Sequence, residues 1–570
     1  MAASRSTSTI VLAVAAAGFV VLGVSLALVL LAIRKDAPPP PPVLVTVVVS
    51  SPGRSASELE DFVAEPLEGR LAGTPSLRSL TTWSTEGTVL LECAFDATSI
   101  PLEAAGQVRD RVRAEQLPDD VETPLVGLAT EKAELARYDL ASDTLPLADL
   151  LTMHDAQLRG GLLSMPGVER LEVCGSGEPE VRVELDSRRL EAFGLRLDQV
   201  RSEVERWSTL SNPGAAKLEG LGELVVGLAQ QRPIRLSDIA DIRTSSAPHS
   251  CSCLVDGRPS LCASVFGRKE AGAEVVARVR QWAASAPPGL RVRAEATNDS
   301  TVRLGLWASG DTALEAVPGT AKLVASTAQS LSDAVCRVTL GSDLIGAGGS
   351  SGELSFAMAT VPPEDFDVRV KQAVESAIPG IRVAPIQRPA WEFVVRGPDR
   401  KELVRVAEEL RKGVGAREGV FQAMLVGAGQ RRSYEFQMKR ERARDLGIMP
   451  QDVALSARLA MHGELLGVPL PERPRIRLSL TGKNPSLEQL MEVRLPAATG
   501  GSAPLREIAE VRVETQDDPI VREDRQRVVY VRVWGARGAP DSWAEGVDEV
   551  ASGIALPASV TVSWRRVVER

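Results

Sequence analysis

Residues 179–206 read PEVRVELDSRRLEAFGLRLDQVRSEVER, and residues 433–459 read SYEFQMKRERARDLGIMPQDVALSARL. In the first stretch Val181, Val183 and Leu185 alternate with Arg182, Glu184 and Asp186, the period of a half-buried strand. In the second, Tyr434, Phe436 and Met438 hold the same places. Each strand leads into a short charged helix that stops at a glycine, Gly194 or Gly447, where a left-handed cap costs least. A second helix opens at Asp198 or Asp452. Further matches follow in the same order: PIRLSDIADI (233–242) with APLREIAEV (503–511), then CLVDGRPSLCASVFG (253–267) with IVREDRQRVVYVRVWG (520–535). The chain is a duplication.

Working outward, 570 residues with 44% hydrophobic and 25% charged side chains are enough for several globular domains. A net charge of −9 argues against a nucleic-acid partner, which would call for a basic face. The three histidines, His154, His249 and His462, have no ligand spacing. The six cysteines form no CxxC pair; they read as small buried hydrophobes, with a Cys253–Cys262 strand pair as the alternative.

Residues 10–33 carry no charge over 24 positions. As a helix they would reach about 36 Å, enough to cross a hydrocarbon core of about 30 Å. The run is longer than a signal-peptide core and ends in Ile33-Arg34-Lys35, so it reads as an uncleaved anchor. Residues 1–9 form a tail before it, and the proline-rich segment 34–42 a stiff spacer after it.

The remainder parses into βαββαβ units. The expected boundaries are 43–133 for the first, 134–176 with 247–299 for the second, 320–388 for the third, and 389–431 with 513–570 for the fourth. The duplicated patterns are inserts at 177–246 and 432–512, and 300–319 reads as a connector. Within the third unit, AKLVAS (321–326) reads as its first strand and Ser330 as the start of its first helix. The fold class is therefore α+β, four ferredoxin-like units with two inserts.

SPGRSASELEDFVAEPLEGRLAGTPSLRSLTTWSTEGTVLLECAFD (51–96) resembles the opening of the first porter subdomain of resistance-nodulation-division (RND) efflux permeases. Pro52-Gly53, Glu65-Pro66-Leu67-Glu68, Leu71-Ala72-Gly73 and Ser84-Thr85-Glu86-Gly87 stand where that family has its proline-glycine, Pro-Leu-Glu helix, glycine turn and Ser-x-x-Gly hairpin. LEAFGLRLDQV, IRLSDIADI, ARDLGIMPQDVA, PLREIAEV and VREDRQRVVYV are similar to its repeated signatures. The resemblance implies four porter subdomains and two docking-type inserts. It also implies a periplasmic globular part on an inner-membrane anchor. As partners it implies a full-length permease, a periplasmic adaptor or an outer-membrane channel, and a trimer of copies.

Family permeases have twelve transmembrane helices, with a proton relay of intramembrane acidic residues and a lysine. Here residues 10–33 are the one apolar run, so the chain is expected to lack that core and to depend on other subunits. The first insert is also shorter: 42 positions from Gly194 to Leu236 against 58 from Gly447 to Leu505.

No catalytic, cofactor-binding or metal-ligating residue is assigned, and no cofactor. Met438, Met449 and Met461 are spaced singly, unlike a metal-exporter methionine cluster, and the ten phenylalanines are dispersed; the substrate-binding residues are not legible. Two functions compete: a porter-like efflux component, and a non-transporting scaffold or adaptor on the same fold. An enzyme is not expected, since no nucleophile–base pattern occurs and Gly346–Gly352 lacks the Lys-Ser/Thr of a phosphate loop.

Overall fold

The computed structural model describes residues 42–567 except 52–53, 119–120, 130–132, 178, 211–217, 230, 247–250, 298–300, 309–316, 332–333, 342–350, 359–361, 387–389, 462, 467–474, 481–486, 497–501, 518 and 537–546. The expected anchor at 10–33 lies outside the described residues. Among these, no helix is long and apolar enough to cross a membrane.

The first unit comprises β1 (Val43–Ser50), β2 (Leu77–Thr85), β3 (Thr88–Phe95) and β4 (Leu125–Ala129). The second begins with β5 (Ala133–Ser142) and β6 (Val168–Cys174). The first insert follows as β7 (Pro179–Leu185), β8 (Val225–Ala229), β9 (Arg232–Arg235) and β10 (Ala240–Ser246). Then come β11 (Ser252–Val255) and β12 (Arg258–Pro259), and the second unit closes with β13 (Leu261–Gly267) and β14 (Leu290–Ala296). The third holds β15 (Thr301–Ala308), β16 (Val335–Leu340), β17 (Ser351–Ala357) and β18 (Ile381–Pro385).

The fourth opens with β19 (Ala390–Arg396) and β20 (Val420–Val426). The second insert follows as β21 (Gln430–Met438), β22 (Glu464–Leu466), β23 (Arg475–Ser479), β24 (Arg494–Pro496), β25 (Ser502–Pro504) and β26 (Ala509–Asp517). After β27 (Ile520–Glu523), β28 (Gln526–Gly535) and β29 (Thr561–Val567) complete the fourth unit.

Each unit orders its four strands alike, fourth–first–third–second: β4-β1-β3-β2, β14-β5-β13-β6, β18-β15-β17-β16 and β29-β19-β28-β20. All four are ferredoxin-like, with two helices against one sheet face and a separate core in each. Apolar alternation explains the strands: Val45, Val47 and Val49 of β1 are buried while their neighbours are half-exposed. The helix at 56–71 starts on a capping box, Ser55 with Glu58.

The third unit corrects two expectations. Residues 301–308 are not a connector but β15, whose Val302, Leu304 and Leu306 are buried in the third core. The first helix of that unit is Val317–Gln329, where a strand at 321–326 and a helix from Ser330 were expected. Alanine-rich AKLVAS is short enough to satisfy either period, and the helix buries Val324, Ala325 and Ala328. The true joint between the second and third units is therefore residues 297–300, between Ala296 and Thr301. Four residues are far fewer than the roughly 20 of a membrane span.

The second insert also extends past its expected limits, because β21 and β26 pair from Gln430↔Asp517 to Met438↔Ala509. The inserts are one body, not two. β23 lies parallel to β7, giving a sheet β10-β7-β23-β22, and a single core takes in side chains of both. The duplication is visible in the backbone: Gly194 sits at φ 65° and Gly447 at φ 64°.

Candidate functional site

Two hairpins leave their own units. β27, from the fourth unit, pairs with β2 of the first and makes one nine-stranded sheet. β11, from the second unit, pairs with β16 of the third. The turns match. Asp256-Gly257 (φ 49° and 72°) and Asp524-Arg525 (φ 50° and 69°) have both residues left-handed, the type I′ geometry of two-residue hairpins. Asp256 N–H donates to the Cys336 carbonyl while its Oδ1 accepts the Cys336 amide at 3.0 Å. Asp524 does the same with Leu80, its amide donating to the carbonyl and its Oδ1 accepting at 3.0 Å. The four units thus form two pairs, first with fourth and second with third.

Buried charge locks each pair. Arg522 of β27 reaches Glu60 at 2.9 Å, Glu68 at 3.0 Å and Glu65 at 2.7 Å, and Arg527 reaches Glu60 at 2.5 Å. Glu60 and Glu68 are 0% and 1% exposed. Glu60 begins a π-helical turn, Glu60–Ala64, and the first helix of the second unit has one at Asp155–Arg159. Glu523 meets Arg565 at 2.8 Å and Arg396 at 2.9 Å and accepts from the Tyr530 hydroxyl at 2.9 Å. Burial acts most strongly on Glu523 and raises its pKa, but Arg565, Tyr530 and Arg396 outweigh it and the carboxyl lies below its ordinary range.

In the other pair, Arg137 of β5 contacts Glu134 at 2.6 Å and Glu353 of β17 at 2.5 Å. Arg303 of β15 contacts the same two carboxylates at 3.1 and 2.7 Å, and Arg337 of β16 contacts Asp139 at 3.1 Å. Burial raises the Glu353 carboxyl, yet Arg137 and Arg303 together hold it below its ordinary range.

Between the pairs, the contact of the third with the fourth unit is of another kind. Trp307 of β15 and Trp534 of β28 meet with centroids 5.5 Å apart, beside Ala384 and Met424. Lys371 donates to the Phe421 carbonyl at 2.5 Å, and its ammonium lies 5.0 Å from the Phe421 ring. Burial pushes the Lys371 pKa down. Glu375 accepts the Val383 amide at 2.9 Å and the Gln422 amide at 2.8 Å. The Trp534 indole N–H is buried without a hydrogen-bond partner.

Magnitudes separate the seams. Within each pair a hairpin crosses onto the other unit's sheet through main-chain hydrogen bonds, each worth about 1 kcal/mol, whereas the Trp307–Trp534 contact adds about 0.5–1.5 kcal/mol. Of the contacts between units described above, that of the third with the fourth is the weakest. That seam is the candidate functional site: an aromatic wall with the orphan Trp534 donor, the Lys371 ammonium, and Arg382 opposite Trp307 on β18.

Gly305 makes room for it. A Cβ there would overlap the six-membered ring of Trp307, two positions along on the same strand face. Gly305→Ala is expected to expel the Trp307 indole from Trp534, at a cost of about 1–3 kcal/mol, and to change the near-UV circular dichroism of the tryptophans. Gly106→Ala, where a Cβ meets nothing within 4 Å, serves as control and should leave that spectrum unchanged. An unaltered spectrum in Gly305→Ala would refute the packing.

The residues singled out from sequence lie elsewhere. Met438 is half-buried against the insert core and Met449 is 54% exposed. His154 is buried in the second unit, 2.7 Å from the Tyr138 hydroxyl and 2.8 Å from Asp155; burial lowers its pKa. His249 and His462 fall outside the described residues. The cysteines pair as Cys174–Cys251 and Cys253–Cys262, which realises the alternative reading for the second couple, while Cys93 and Cys336 are free and buried. Trp307 and Trp534 were missed; the alternation of Val302, Leu304 and Leu306 was the available signal.

Comparison with known proteins fits this geometry. A crystal structure described as a heavy metal efflux pump superposes with a TM-score of 0.75 at 13% identity, covering 96% of this chain and 82% of that one. Multidrug resistance protein MdtC of Photorhabdus laumondii is 27% identical over 252 residues, 41% of this chain and 24% of that protein. MdtC of Yersinia enterocolitica is 26% identical over 258 residues, 42% and 25%. The matched stretch thus spans about a quarter of those relatives' length. The model of the AcrB/AcrD/AcrF family matches residues 3–304, more than half of the sequence. With the porter fold repeated four times and more than half of its length matched, this chain belongs to the AcrB/AcrD/AcrF family of RND efflux permeases.

Proposed function

We propose that the chain is a porter-like, periplasmic component of an RND-type efflux assembly, held to the inner membrane by residues 10–33, in which other subunits supply proton coupling. The observation that carries this reading is internal. Where the family resemblance implies a membrane core between the two halves, the second unit passes to the third through residues 297–300. Two disulfides support an oxidising compartment. The seam at Trp307 and Trp534 is the place where a substrate passage would open.

A second reading, a non-transporting scaffold, is favoured by the buried ion pairs that cross each interface, Arg137 with Glu353, Arg303 with Glu134 and Arg522 with Glu68. Pull-down of the tagged chain from its native membranes in mild detergent separates the two. Recovery of a full-length permease, an adaptor or an outer-membrane channel is expected. The chain alone, as monomer or trimer, would sink the mixed assembly and leave the scaffold.

A further inference from the structure

The two inserts repeat one pattern, yet their leading strands are not equally covered. β7 is flanked by β10 on one side and by β23 on the other, whereas β21 is flanked by β26 alone among the described residues. The hydrogen-bond parity identifies the uncovered groups. Asp186 N–H donates to the Ile239 carbonyl, and at the equivalent place Lys439 N–H donates to that of Ile508. In an antiparallel ladder such pairs recur every second residue. Glu180, Arg182 and Glu184 therefore face β10, and Ser433, Glu435 and Gln437 face β26. The amides of Val181, Val183 and Leu185, and of Tyr434, Phe436 and Met438, turn the other way.

In the first insert those amides meet β23. In the second they meet no strand among the described residues. Side-chain burial follows: Val181, Val183 and Leu185 are 4%, 0% and 2% exposed, while Phe436 and Met438 remain half-buried against the same core. The hairpin β22–β23 that covers β7 belongs to the second insert; the first insert, 42 positions against 58, shows no counterpart among the described residues.

We propose that the outer edge of β21 accepts a β-strand from another subunit, one that runs parallel to β21 and carries a basic residue between apolar ones. The pattern comes from β23. Its register on β7 sets Ile476 against Val181, Arg477 against Arg182 and Leu478 against Val183, and Arg477 reaches Glu180 at 2.9 Å. On β21 the place of Arg182 is taken by the exposed Glu435, so the central cation meets a carboxylate there. An uncovered edge bearing apolar residues is a pairing site by default, and strand addition draws its affinity from the main chain and its specificity from alternate side chains. The inference rests on reading the chain as one subunit of a mixed assembly and names the surface that would hold the partner.

The test uses the whole detergent-solubilised chain and, as probe, a synthetic peptide of its own residues 463–480, the hairpin that fits the equivalent edge. Hydrogen exchange at Phe436 and Met438 should slow on peptide addition, and Glu435→Lys should weaken binding at least tenfold. No protection at β21, or binding unchanged in Glu435→Lys as would follow if the peptide merely exchanged with β23 on β7, would overturn the proposal. This result is independent of what the membrane pull-down recovers.

Discussion

Arg522→Met should lower the stability of the first unfolding transition by about 3–5 kcal/mol, the cost of stranding buried charge. The guanidinium touches three carboxylates, and two of them, Glu60 and Glu68, are cut off from water. Burial already pushes the Glu68 pKa up, with Arg522 opposing it. Without the arginine Glu68 would take up a proton on folding, and Glu60 would keep Arg527 as its cation. Arg522 belongs to the fourth unit and its partners to the first, so the loss should show as separation of that pair: β27 peels from β2, and the Asp524 bonds to Leu80 break with it. Adding Glu68→Gln to the variant should recover part of the loss, because the stranded charge goes. Arg70→Ala, which removes an exposed pair with Glu115, should change stability by less than about 1 kcal/mol. Denaturant titration of the solubilised chain reads all three. An Arg522→Met midpoint equal to that of the parent would refute the buried lock.

What the sequence made legible was whatever a local period encodes. Alternating apolar residues announced β7 and β21, and glycine stops announced Gly194 and Gly447. The doubling of those signals exposed the repeat, and with it the ferredoxin-like class. The pairing of units was not legible, because CLVDGRPS and IVREDRQR match each other in sequence without saying whose sheet they join. Their Asp256 and Asp524 carboxylates bond to backbone of another unit, a choice set only when two folded sheets meet. The third unit failed for a different reason. Thr301–Ala308 is a strand of ordinary alternation, but the expectation of a membrane gap between the halves drew it into a connector. Its misreading hid Trp307, and so the seam with Trp534.

The two hairpin exchanges are equivalent in backbone yet secured by different chemistry, and a reductant should tell them apart. β27 is held by the arginine cluster; β11 is stapled by sulfur, with Cys253 bonded to Cys262 of β13 and Cys251 to Cys174 of β6. The Cα separations, 6.2 and 5.5 Å, lie in the usual range for such bonds. The Cys174–Cys251 bridge closes the whole first insert, with a sequence separation of 77. A loop of that length corresponds to about 4.5 kcal/mol of lost chain entropy in the unfolded state, on the loop-closure model. Cys174→Ser with Cys251→Ser should therefore destabilise the pair of second and third units by about that amount, and dithiothreitol on the parent, which opens both bridges, by more, while each leaves the Arg522 pair intact. The thiol count gives a direct check. Burial pushes Cys93 and Cys336 up to about 12, so neither should react with a thiol reagent in the native chain. The native chain should titrate no thiols, and mild reduction should release four. Four reactive thiols before reduction would remove the staples. It would also remove the chemical support for an oxidising compartment, since only there would this hairpin be held while the other, built on charge, is indifferent to redox state.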